Sequence, residues 1–127
     1  MVKRLISADP KHFSWGVSTV HNWVDGSRNK RDVFVIRFSD AIKVFDISKN
    51  DLNANFDDFD EAYLIYAVLR VASESNMRVL LWEERFLNDI THCVRIWKPA
   101  EASQSIKEIK EKNLFKAICL AYLLNYE

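Results

Sequence analysis

Only two of the 127 residues are glycine, Gly16 and Gly26, against about 7% in an average protein. A backbone that turns sharply, or lies against a phosphate, needs a positive φ or a missing Cβ, and glycine supplies both. The chain contains no G-x-G-x-x-G, no P-loop and no G-x-S-x-G, which removes the nucleotide-binding and nucleophile-elbow chemistries that depend on them. A compact fold built from pattern and bulk is what remains.

The bulk is sufficient for one domain over residues 1–127. Hydrophobic residues make up 49% of the chain and aromatics 13%, four of them Trp, enough to form a core without staples. Eighteen basic residues balance eighteen acidic ones, so no global field draws in a polyanion. Residues 1–56 hold nine Lys/Arg against six Asp/Glu, and residues 57–127 nine against twelve. Cys93 and Cys119 are too few for a disulfide framework or a zinc cluster. They fit buried thiols of a reduced, cytoplasmic protein. Met1–Ile6 begins like a signal peptide, but Asp9, Pro10 and Lys11 interrupt it. The longest apolar run, Ala62 to Leu69, is short of a membrane span.

Alternation in residues 13–24 and the β-branched run 33–38 predict a hairpin whose charged tip is Asp25–Asp32, beginning with the turn signal Asp25-Gly26. Ala41–Ile47 reads as a third strand, with a short helix capped by Ser39 as the competing reading. Residues 48–58 form a loop, from which Asp57 or Asp58 caps a helix over 59–74, apolar on nearly every side and so expected to be covered on more than one face. Met77–Phe86 and Thr91–Lys98 predict a second hairpin turning at Asn88-Asp89, with Trp82 opposite Arg95. Ser105 and Glu108 match a capping box and predict a helix to about Asn125, with a break near Asn113 as an option. The expected fold is α+β: an antiparallel sheet of about five strands in two hairpin regions, packed with two main helices.

Each candidate site has a plain structural counterpart. Asp51, Asn53, Asn55 and Asp57 have calcium-loop spacing, but Phe56 and Ala62 stand where that loop needs Gly and Glu, so no metal is expected. His92 and Cys93 are neighbours in a strand and face opposite ways. Glu83 and Glu84 alternate likewise, so with Asp89 they read as solvated charges. Cys119 lies in an apolar helix and reads as inert, and the acidic run Asp57–Glu61 as a first helical turn. A small hydrolase would require two of Glu83, Glu84, Asp89 and His92 to converge on a pocket. No cofactor is expected.

The first hairpin carries the remaining candidate surface. Arg28, Asn29, Lys30 and Arg31 at its tip, with His21 and Trp23 on its stem, offer cations and rings to a partner. The leading expectation is a non-catalytic protein that binds an unidentified protein partner through a sheet edge and this tip. Nucleic acid is the alternative, with cations on phosphates and rings on bases. An exposed strand edge also makes a homodimer compatible with the sequence.

Helix, aromatic hairpin and a closing helix containing Lys116-Ala117-Ile118-Cys119-Leu120-Ala121-Tyr122-Leu123 resemble the phage "ABA sandwich" domain over residues 58–125. That resemblance implies a phage or prophage accessory protein and carries over no catalytic residues. The N-terminal three-strand region and the absence of a Trp-Pro-Ser lead-in to the first helix set the chain apart from the family.

Overall fold

A computed structural model describes residues 1–46, 58–99 and 107–126. The chain divides into two compact units, Val2–Asn55 and Phe56–Glu127. The fold is α+β, but the strands form two separate three-stranded antiparallel sheets, where one sheet of about five had been expected.

In the first unit, helix α1 (Val2–Ala8) precedes strands β1 (Phe13–His21), β2 (Arg28–Arg37) and β3 (Ile42–Phe45), paired in that order. The interrupted run at the N-terminus is therefore a helix. Val2 and Leu5, three residues apart on one face, are its buried positions. Asp9 links it to β1: its carbonyl accepts from the Phe13 amide at 3.0 Å, and its carboxylate meets His12 Nδ1 at 2.8 Å. Ala41–Ile47 is extended where described, as β3.

Strand alternation then sorts the β1–β2 pair. Phe13, Trp15, Val17, Thr19 and His21 share a face with Arg28, Lys30, Asp32, Phe34 and Ile36. Phe13, Phe34 and Ile36 are fully buried. The Phe34 ring centroid lies 6.1 Å from those of both Phe13 and Trp15, and 6.3 Å from that of Phe45. On the opposite face Gly16 leaves room for Val35: a Cβ there would stand 2.9 Å from Val35 Cγ2.

The first turn is not where the charge run suggested. It spans residues 22–27, closed by Asn22 N–H donating to the Ser27 carbonyl at 2.9 Å and Gly26 N–H to the Asn22 carbonyl at 2.8 Å, with Gly26 at φ 72°. Asn22 Oδ1 accepts from the Val24 amide, an Asx turn. Arg28 to Asp32 consequently lie in β2, paired with His21 to Val17.

The second unit runs α2 (Asp58–Glu74), β4 (Arg78–Phe86), β5 (Asp89–Trp97), β6 (Ile109–Glu111) and α3 (Leu114–Leu123), with a 3₁₀ turn at Leu124–Tyr126. Instead of being covered on several sides, α2 buries one stripe of Leu64, Ala67, Val68, Val71 and Ala72, and exposes Tyr63 and Tyr66. It ends in a Schellman motif: Asn76 sits at φ 59°, Met77 N–H donates to the Ala72 carbonyl and Asn76 N–H to that of Ser73.

The second hairpin turns one residue earlier than expected. Phe86 pairs with Asp89, so Leu87-Asn88 form the turn and Trp82 lies opposite Cys93. The predicted faces survive, because the register moved by two residues and the side-chain period is two. The long helix expected from Ser105 is also corrected. Ser105 and the calcium-like positions 51–57 lie outside the described residues, whereas Ile109–Glu111 pair with β5 as a strand. Asn113 caps α3, its Oδ1 accepting from the Lys116 amide at 2.8 Å. Helix α3 packs on β5, β6 and α2, and Ile118, Ala121 and Tyr122 are fully buried.

Candidate interaction surface

The distal half of the β1–β2 hairpin brings most of the predicted surface residues together. Proximally the ring-bearing face is core. Beyond Val17, itself 64% exposed, the same face opens to solvent with Thr19, His21, Arg28 and Lys30. His21 lies directly opposite Arg28, and Thr19 opposite Lys30. Trp23 caps the end, 93% exposed, its ring stacked on His21 with centroids 6.2 Å apart and planes 29° apart. Val24 beside it is equally bare. Exposing a Trp forgoes a large burial term, about 25 cal/mol for each Å² left in water.

Strand geometry divides the basic run. Arg28 and Lys30 share the His21 face, while Asn29 and Arg31 point to the other. There Arg31 is engaged by Asp46, its guanidinium donating to the carboxylate. The cationic part of the distal aromatic face is thus Arg28 and Lys30, with Asp32 on the same face nearer the core. At the tip, Asp25 accepts from the Ser27 amide at 2.8 Å, and hydrogen bonding from Ser27 holds its carboxyl below the usual range.

The acidic candidates around the second hairpin are distributed over both faces of their sheet. Glu83 lies 3.9 Å from His92 and 3.0 Å from Arg85. Glu84 lies on the other face and binds Lys110 Nζ at 3.1 and 3.2 Å, and Asp89 stands 3.8 Å from Lys112. Glu83 and His92 therefore come together on one face, whereas Glu84 and Asp89 lie on the other, each beside a lysine.

Glu84, Cys93 and Glu108 do converge, with ligand atoms within 4.8 Å of one another. The Lys110 ammonium is also there, 4.0 Å from Glu108. It supplies the positive charge these carboxylates need, and its hydrogen bond to Glu84 raises its own pKa. Burial first, and then Glu84, pushes the Cys93 thiol up, away from the thiolate a metal requires. Burial also pushes Cys119 well up. The cluster reads as an ion pair over a protonated thiol.

One feature escaped the sequence reading. Phe86 and Leu87 form a bare apolar tip on the second hairpin, 78% and 89% exposed. Leu87 adopts φ 55°, a left-handed conformation that L-residues other than Asn and Asp rarely take. Arg95 lies over the Trp82 ring at 5.6 Å, on the shared face the sequence placed them on although Trp82 now pairs with Cys93. Among the described residues no helix is long and apolar enough to cross a membrane. No family model, curated protein or solved structure matches the chain.

Proposed function

We propose that this is a non-catalytic interaction protein which docks a protein partner through the distal half of its first hairpin. The observation that carries this reading is Trp23, held in the open by its stack on His21, with Arg28 and Lys30 on the same face. Trp and Arg are the residue types that dominate interface energetics. A rigid ring beside two cations suits an apolar cleft rimmed by carboxylates. Trp23→Ala, and separately the pair Arg28→Glu with Lys30→Glu, should abolish capture of the partner from extracts of the source organism. Phe86→Ala on the other hairpin should leave it intact. Equal loss in all three variants would contradict the proposal.

Single-stranded nucleic acid is the second reading, favoured by the two stacked rings in line with two cations. Its test is fluorescence polarisation of a labelled oligonucleotide at two salt concentrations. Neutralising one phosphate contributes about 0.7 to the salt slope on single strands, so Arg28→Ala should lower the slope by about that amount. Affinity that does not change with salt would exclude it. The helix–hairpin–helix order of 58–125 supports the further proposal that the carrier is a phage or prophage. Anti-defence inhibitors and immunity-type binding proteins are the kinds of molecule that work this way.

A further inference from the structure

The four sheet edges are protected unequally. Strand β3 has four residues and carries Lys43, and β6 has three and carries Lys110 and Glu111. Strand β4 is nine residues long but holds Arg78, Glu83, Glu84 and Arg85. Shortness and charge are the usual means of stopping an edge from pairing with another chain. Strand β1 has neither. Its nine residues, Phe13–His21, contain no Asp, Glu, Lys, Arg or Pro, and its outer side pairs with no strand among the described residues. Val17, at its midpoint, is 64% exposed.

We propose that β1 pairs antiparallel with β1 of a second copy, about a two-fold axis through Val17, joining two three-stranded sheets into one of six. Phe13 is buried and its amide already donates to the Asp9 carbonyl, so the pairing runs over residues 14–20, centred on Val17. It sets Trp15 opposite the partner's Thr19 and Gly16 opposite the partner's Ser18. No like charges meet, and the two exposed valines cover each other. A slip of one residue would turn the copy's core face outward, so the alternation that buries Phe13 excludes it, and a slip of two would separate the two exposed valines. The second copy is the fitting occupant because every chain that displays this edge also supplies its complement in equal amount.

The pairing is independent of the ligand reading, since Trp23, Arg28 and Lys30 take no part in it. If both hold, two tips stand at opposite ends of the joined sheet, roughly 40 Å apart at about 3.4 Å per residue, and the dimer is bivalent.

Sedimentation equilibrium of the full chain at micromolar to hundred-micromolar concentration tests it. The expected species has twice the 14.9 kDa chain mass. Val17→Lys and Val17→Asp should each be folded by circular dichroism and monomeric, and an equimolar mixture of the two should recover the dimer. Trp23→Ala should dimerise like the parent, which separates edge pairing from association through the apolar tip. Val17→Cys should form an intermolecular disulfide on oxidation with copper phenanthroline, the two cysteines facing each other across the axis. A parent chain that stays monomeric at the highest concentration overturns the proposal. So does a Val17→Lys dimer of parental strength, or a failure of Val17→Cys to cross-link.

Discussion

The two β-hairpins place their charge in opposite ways. In the first, the charged residues Arg28, Lys30, Arg31, Asp32 and Arg37 belong to β2, the central strand, and the edge strand β1 is bare. In the second, the edge strand β4 carries Arg78, Glu83, Glu84 and Arg85, and central β5 holds only Asp89 and Arg95. Both end in exposed apolar tips, Trp23-Val24 and Phe86-Leu87. The second hairpin carries α3 on one face and guards its edge, as a sheet that serves as scaffold should. The first leaves both its edge and its distal face available. Sheet position, more than composition, decides whether a charge defends an edge or decorates a face.

The sharpest way to break this comparison is to empty the first hairpin's core. Phe34→Ala removes the ring that meets Phe13, Trp15 and Phe45 and should cost about 3–5 kcal/mol in urea unfolding. Phe86→Ala on the exposed second tip should change stability by less than about 0.5 kcal/mol. If the two costs were similar, the second tip would not be a free surface.

Gly16→Ala comes next. The added methyl would stand 2.9 Å from the short, branched and buried Val35 side chain, which cannot swing away. About 1–3 kcal/mol of overpacking is expected, read as a lower denaturation midpoint. Leu87→Gly should act in the opposite direction on the second hairpin. It relieves φ 55° at a position that buries almost nothing, for a gain of about 1 kcal/mol.

A smaller effect follows from the thiols. Burial raises Cys93 and Cys119 above the ordinary value of 9.0, so the folded chain holds protons that the unfolded chain releases. Their contribution is complete below that value and is lost as pH rises past it. Lys110, raised by Glu84, acts in the same direction at still higher pH. The melting temperature should therefore fall modestly between pH 8 and pH 10, and Cys119→Ser should reduce that fall. A flat profile would show that the thiols are reached by water.

Much of the fold was legible because alternation and caps are local signals. Phe13, Trp15 and Val17 announced β1, which starts where the alternation does and stops at His21, three residues short of the run to Val24 that the sequence suggests. Strand β6 was illegible: three residues carry no period, and Ile109 fell on the stripe of Ala117 and Leu120, so pairing with β5 prevailed over helical spacing. The second turn was misplaced because Asn and Asp are the residues expected at positive φ, whereas Leu87 occupies that position. Arg28–Arg31 looked like a loop by charge, yet Asn22 starts the turn earlier and the strand continues through them. The two-unit division left one trace, the excess of base before residue 57 and of acid after it.

The central claim, that the first hairpin and not the second is the docking surface, is tested most directly by site-specific photocross-linking. p-Benzoylphenylalanine would be introduced at Val24 in one preparation and at Leu87 in another, and each irradiated in an extract of the source organism. The account predicts a discrete adduct from position 24, lost when Arg28→Glu and Lys30→Glu are added, and none from position 87. An adduct from position 87 with none from position 24 would contradict it.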